Sequence, residues 1–172
     1  MAQTTTATNT TNAVLEGSAN GTTWTDISGS TNKIEAPTQD VDTGDVATLD
    51  GAFKIPKVGK VNPLELNVTV LYTETAGEAM ALMHQQWAVA GKTLYLRWTP
   101  AARAGVAARR YYTADSNGNL AAGVMTSFNF PGANAEEASA TLLTFKLKVI
   151  TLSYGAGPSS SASKSPSASA SA

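Results

Sequence analysis

Residues 64–98 read LELNVTVLYTETAGEAMALMHQQWAVAGKTLYLRW. Leu64, Leu66, Val68, Val70 and Tyr72 recur at every second position, with Glu65, Asn67 and Thr69 between them. A period of two gives a strand with one dry face and one wet face. The period then changes. Thr75 and Glu78 have the T-x-x-E spacing of a capping box, in which two side chains satisfy the first free N–H groups of a helix. Ala76, Met80, Met83 and Trp87 fall on one helical stripe, and Gly91 supplies a stop. Residues 93–98 return to alternation, with Leu94, Leu96 and Trp98 on one face and Tyr95 and Arg97 on the other. The segment is therefore strand, helix, strand. Its helix is expected to cover the dry face of a sheet through Met80, Met83 and Trp87.

Working outward, residues 13–18 predict a short strand, and Asn20-Gly21 a tight turn into a return strand over 22–25. Asp26, Ser28, Gly29 and Ser30 are expected to end that strand. Further strands are predicted around 110–113, over 124–130 and over 140–150, the last with Leu143, Phe145, Leu147 and Val149 on one face. About seven strands and one helix result. The fold class expected is α+β, mostly β: an antiparallel β-sandwich or barrel flanked by one α-helix.

Residues 33–62 are the least regular part of the body. Glu35, Asp40, Asp42, Asp45 and Asp50 occur without a base among them, and Lys54, Lys57 and Lys60 follow. Pro37, Pro56, Gly44, Gly51 and Gly59 argue against continuous regular structure. A loop this long usually has a task of its own. Val46, Leu49, Phe53, Ile55 and Val58 suggest that it packs on something as an extended hairpin.

The chain has 172 residues, enough for one domain with a core. Residues 1–12 are Thr-rich and residues 156–172 are rich in Ser and Ala, so both are expected to be mobile arms around a domain at 13–155. The net charge of −1 speaks against a strongly basic nucleic-acid binder. With no cysteine, thiolate metal sites, disulfides and Cys nucleophiles are excluded. No signal peptide and no membrane-length apolar run is visible, so synthesis in the cytoplasm without membrane insertion is expected.

Catalytic chemistry has little to stand on. His84 is the only histidine, and no G-x-S-x-G accompanies it. Asp40, Asp42 and Asp45 loosely resemble calcium-loop spacing, but the EF-hand pattern is not met. No cofactor, metal or catalytic residue is expected. What does stand out is the wet faces of strands 64–72 and 140–150. Long strands leave edges that must be managed, and pairing them with another subunit into a wide barrel leaves an aqueous lumen.

At this point the sequence resembles the tail tube (major tail) proteins of long-tailed bacteriophages, of the siphophage type. The stretches that carry the resemblance are GTTWTDISGSTN (21–32), NPLELNVTVLYTETAGEAMALMHQQW (62–87), TLYLRWTPA (93–101) and GVMTSFNFPGANAEEASATLLTFKLKV (123–149). The resemblance implies hexameric rings whose inner strands join into one barrel, stacked into a tube that conducts DNA to the host. It implies self-association, contacts with tail tip and tail terminator proteins, and a place in the virion after assembly in the host cytoplasm. A long loop in such proteins reaches the next ring, so Asp40, Asp42, Asp45, Asp50, Lys54, Lys57 and Lys60 become candidate inter-ring residues. Glu65, Asn67 and Thr69 become candidate lumen residues, on a wall past which DNA moves without specific binding. A polar, net-negative wall would suit that passage, and Lys146 and Lys148 would work against it if they shared the face. The alternative from another class is a β-sandwich binding module, such as a capsid-decoration or adhesin-type virion protein. A mid-chain strand–helix–strand unit is foreign to plain immunoglobulin-like modules.

Overall fold

Wherever apolar residues alternate regularly, the chain is extended. The computed structural model describes residues 13–35, 37–47, 54–89, 91–100, 109–132 and 141–155. Its elements in chain order are β1 (Val14–Ser18), β2 (Thr25–Asp26), β3 (Thr31–Glu35), β4 (Val41–Ala47), β5 (Lys54–Val61), β6 (Leu64–Leu71), α1 (Ala79–Ala88), β7 (Thr93–Thr99), β8 (Arg110–Ala114), β9 (Gly123–Phe128), β10 (Leu142–Val149) and β11 (Thr151–Gly155). Every strand pairing is antiparallel. Over the described residues the protein is α+β and mostly β, with one α-helix, and its main sheet is open rather than a closed barrel.

β7 belongs to two layers. On one side of the fold the order is β2-β1-β7-β8-β11, and on the other β7-β9-β10-β6-β3. The inward residues of both layers meet in a single core. Leu15, Leu94, Leu96 and Trp98 come from the first layer, with Ile27 from the loop after β2. Leu64, Leu66, Val68, Val70, Met125, Leu143, Phe145, Leu147 and Val149 come from the second. Complete burial of one such side chain is worth about 1.5–3 kcal/mol, so this period-two pattern decides the fold. α1 closes the sandwich with Ala79, Met80 and Met83 buried in the same core.

The helix begins later than its sequence suggests. The expected capping box does not form: α1 starts at Ala79, with Glu78 as an extended N-cap residue that makes no side-chain capping bond. Gly77, at φ +86°, lies inside the supposed first turn and prevents it from winding. The Ala79 N–H instead donates to Ser30 Oγ at 3.0 Å, so the cap is supplied from a distant 3-10 turn at Ser28–Ser30. Ala76 consequently lies outside the helix and is exposed.

Two strand readings also change. The return strand is only Thr25–Asp26, because the Asn20 side chain accepts the N–H groups of Thr22 and Thr23 and holds that segment in a turn. Asp26, expected to break the strand, lies within it. Residues 33–62 are more regular than their composition implies. They include the end of β3, and beyond it, among the described residues, β4 and β5 pair only with each other as a separate ribbon. That ribbon has no buried face, so no hydrophobic alternation marks it. Pro56 is accommodated because β5 is an edge strand. The expected arms 1–12 and 156–172 lie outside the described residues.

Candidate assembly surface

The outward face of β3, β6, β10 and β9 carries the polar residues that alternate with the core. Glu65, Asn67 and Thr69 are on this face of β6, with Thr144, Lys146 and Lys148 beside them on β10. Lys146 Nζ is 2.8 Å from Glu65 Oε1, and the Thr69 and Thr144 hydroxyls are 3.1 Å apart. Asn67 Nδ2 donates to Glu35 Oε2 at 3.2 Å, and Lys33 donates to Glu35 Oε1 at 2.8 Å. The hydrogen bond and charge of Lys33, with the Asn67 bond, hold the Glu35 carboxyl below the usual carboxylate range. Lys146 and Lys148 thus share the face with Glu65, and the face is not net-negative. Lys33, Lys146 and Lys148 face Glu35 and Glu65, three cations to two anions, with two ion pairs formed. All these groups are partly or fully exposed, so each pair acts on the surface potential more than on stability.

Among the described residues, this half-sheet ends in two unpaired borders. Among them β3 pairs on one side only, with β6. β9 pairs with β10 along its length but meets β7 only at Gly123 and Val124. The Lys92 carbonyl accepts the Met125 N–H at 2.7 Å, and beyond it Thr126–Phe128 have no strand neighbour on that side among the described residues. The strands β3, β6, β10 and β9 alternate in direction. Beside the β9 border lies an aromatic cluster that the sequence reading missed. Trp87 stacks on Phe128 at 5.9 Å, and Phe130, 64% exposed, meets Phe128 edge-on at 5.1 Å. Lys92 Nζ lies 3.6 Å from the centroid of the Trp87 ring, and His84 flanks Phe128 at 6.1 Å. Phe128 and Phe130 are two apart in sequence, which was the one available signal. Of the expected helix face, Met80 and Met83 are buried and Trp87 is only partly so.

The β4–β5 hairpin leaves from one end of the same half-sheet. Its base is closed by the Asn62 N–H donating to the Asp40 carbonyl at 3.0 Å, and Gln39 ties it to Ile150 and Thr151. Every residue of both strands is exposed. The structure places Asp42 and Asp45 on β4, Asp40 just before it, and Lys54, Lys57 and Lys60 on β5. Asp50 lies outside the described residues. Among the described residues, no cluster of three His, Asp or Glu side chains is arranged to hold a metal.

No family model and no curated protein sequence matches the chain. Solved structures match its fold. A chain from the tube-terminating cap of the anti-feeding prophage aligns with a TM-score of 0.65 at 10% identity, over 90% of this chain and 95% of that one. A chain from the 6-fold symmetrised baseplate of the same system aligns with a TM-score of 0.63 at 8% identity, over 90% and 97%. A chain from the tail of an empty GTA particle, refined with C6 symmetry, gives 0.56 at 11% identity, over 87% and 99%. The fold is shared with structural components of phage-tail-like particles. At such identities the likeness is one of fold.

Proposed function

We propose that this chain is a structural subunit of a phage-type tail tube. In this reading, residues 13–155 form rings that stack around a lumen through which DNA passes. The observation that carries it is the pair of free borders on β3 and β9, at opposite sides of a four-stranded half-sheet with alternating strand directions. Copies related by rotation about an axis along the strands would place β9 of one beside β3 of the next, running antiparallel. The half-sheet can therefore continue from copy to copy, which removes both edges at once. Its dry side faces the core of each subunit, leaving Glu65, Asn67, Thr69, Thr144, Lys146 and Lys148 on the lumen wall. Two ion pairs and the remaining Lys148 would give each copy's wall mixed charge with a net of one cation, a weak field compared with a continuous basic patch. Six copies per ring is our choice because six-fold symmetry is stated for structural neighbours. The finer assignment, to the major tail tube proteins of long-tailed phages, rests on the sequence stretches quoted above. Partners at the ends of the tube would be tail tip and terminator proteins.

The test is negative-stain electron microscopy of the purified protein at high concentration. Hollow tubes or six-fold rings are expected. A monodisperse folded monomer that stays monomeric when mixed with preformed tail tips would sink the reading, and would favour a virion surface-binding module instead.

A further inference from the structure

The two strands of the hairpin carry opposite charge, and the register keeps those charges apart except at a bulge, where Asp42 faces Gly59 and Lys60 without forming an ion pair. Asp42 and Asp45 are on β4; Lys54, Lys57 and Lys60 are on β5. Yet Lys57 lies opposite Gly44, Lys54 opposite Ala47, and Asp45 opposite Pro56. None of the four ion pairs among the described residues lies within the hairpin. The Asp42 carboxylate accepts one hydrogen bond, from Asn62 Nδ2 at 3.0 Å. The ribbon thus has an acidic border and a basic border, each without a pairing strand among the described residues. It also exposes apolar side chains, Val58 by 80% and Val46 and Ile55 by about half. A two-stranded ribbon alone in water is marginally stable at best, so this one gains most from a further strand on either side.

We infer that hairpins of neighbouring copies join edge to edge, the β4 border of one chain on the β5 border of the next. The partner is a second copy of this chain, a choice that rests on the ring reading above. Charge complementarity selects the geometry. A two-fold contact would set β4 against β4 or β5 against β5, and like charges directly across a strand pair are unfavourable. A head-to-tail contact sets acids across from lysines. Because β4 and β5 run antiparallel, copies related by rotation also meet antiparallel at this contact. The segregated charges therefore favour rings or helices over dimers, and the hairpins form a continuous collar at one end of the half-sheet. A collar of this kind would present itself to the next ring as one surface rather than as separate arms.

Because the chain has no cysteine, the contact can be mapped with single thiols. Thr43→Cys labels β4 and Val58→Cys labels β5, and neither changes the charge. Assembled protein is treated with a short bis-maleimide, and products are weighed by mass spectrometry. The expected product is the mixed dimer, formed only when both variants are present and suppressed by high salt. Homodimers of Thr43→Cys alone would overturn the head-to-tail geometry. Rings or tubes without the mixed dimer would overturn the collar and leave the ring reading standing. The mixed dimer without rings would leave the collar and sink the ring reading. A charge test runs in parallel. Asp42→Lys/Asp45→Lys and Lys54→Glu/Lys57→Glu are each expected to lose the cross-link alone and to regain it when mixed in equal amounts. Failure of the mixture to regain it would also overturn the inference.

Discussion

Glu16 on β1 and Arg97 on β7 are direct cross-strand partners joined by two hydrogen bonds, Nε to Oε2 at 2.6 Å and Nη2 to Oε1 at 2.8 Å. The Trp24 ring covers the guanidinium at 4.0 Å, and Arg110 approaches the same carboxylate at 3.8 Å. The Arg97 side chain is only 8% exposed. Its charge is therefore costly to leave alone, although the pair itself adds little over an apolar substitute. Glu16→Gln is expected to lower stability by about 2–4 kcal/mol, reduced from a fully buried pair because Glu16 retains some solvent contact. The double variant Glu16→Leu/Arg97→Met is expected to lose less than Glu16→Gln alone. Urea midpoints of the three proteins check this; a double variant that is the least stable of all would show that the pair is a net stabiliser.

The hairpin enters and leaves the body at neighbouring points, where Asn62 and Asp40 are bonded. Its strands bury nothing in the body. Replacing residues 41–61 by a short Gly-Ser turn is therefore expected to leave the melting temperature nearly unchanged. Under the tube reading, the same protein is expected to lose stacking. Electron microscopy together with circular dichroism separates the two effects. Normal tubes from the excised protein would remove the hairpin from the assembly.

Legibility in the sequence followed burial. β6, β7 and β10 were readable because one face of each is buried in the core, and burial imposes a period of two. For β4 and β5 only an extended hairpin was readable, without strand limits and with a packing that does not occur, because a ribbon exposed on both faces imposes no period and tolerates Pro and Gly. The capping box was misread because Thr75 and Glu78 have the right spacing while Gly77 between them adopts a left-handed backbone. The true cap, Ser30, is 49 residues away from the N–H it accepts, and no local pattern reports such a contact. The polar residues of β6 were visible, but their lysine neighbours on β10 joined them only through the strand register. Glu16 and Arg97, 81 residues apart, became partners in the same way.

Gly123 is where β9 and β10 pack too closely for a side chain. A Cβ there would lie 2.6 Å from both Leu147 Cγ and Val149 Cγ1, two buried core residues. Gly123→Ala is expected to cost about 1–3 kcal/mol through overpacking. Val149→Ala in the same chain would relieve one of the two clashes, so the pair is expected to cost less than the sum of the single changes. Thermal unfolding of the four proteins forms the cycle. Strict additivity would show that the backbone shifts away and that the close approach is not what constrains position 123.

Asp115 opens the turn between β8 and β9 as a multiple acceptor. Its Oδ1 takes the Asn119 N–H at 2.9 Å and the Asn117 N–H at 2.8 Å, and Oδ2 takes Asn119 Nδ2 at 3.3 Å. The Asn119 backbone bond is the main reason its pKa is held below the ordinary value, outweighing the small loss of solvent. The sign of the linkage follows. A carboxyl with a lowered folded pKa stabilises the fold fully above its unfolded value, about 3.9, and that contribution is lost as pH falls through the folded value. Asp115→Asn keeps an acceptor oxygen but cannot titrate. At neutral pH the variant is expected to melt below the parent, because a charged acceptor is stronger than a neutral one. On acidification from about pH 5 the gap should narrow and then close, since the protonated parent has lost the same advantage. A gap that persists unchanged to the acid limit would show that the turn is held by its backbone bonds alone, including Gly118 N–H to the Asp115 carbonyl at 3.1 Å.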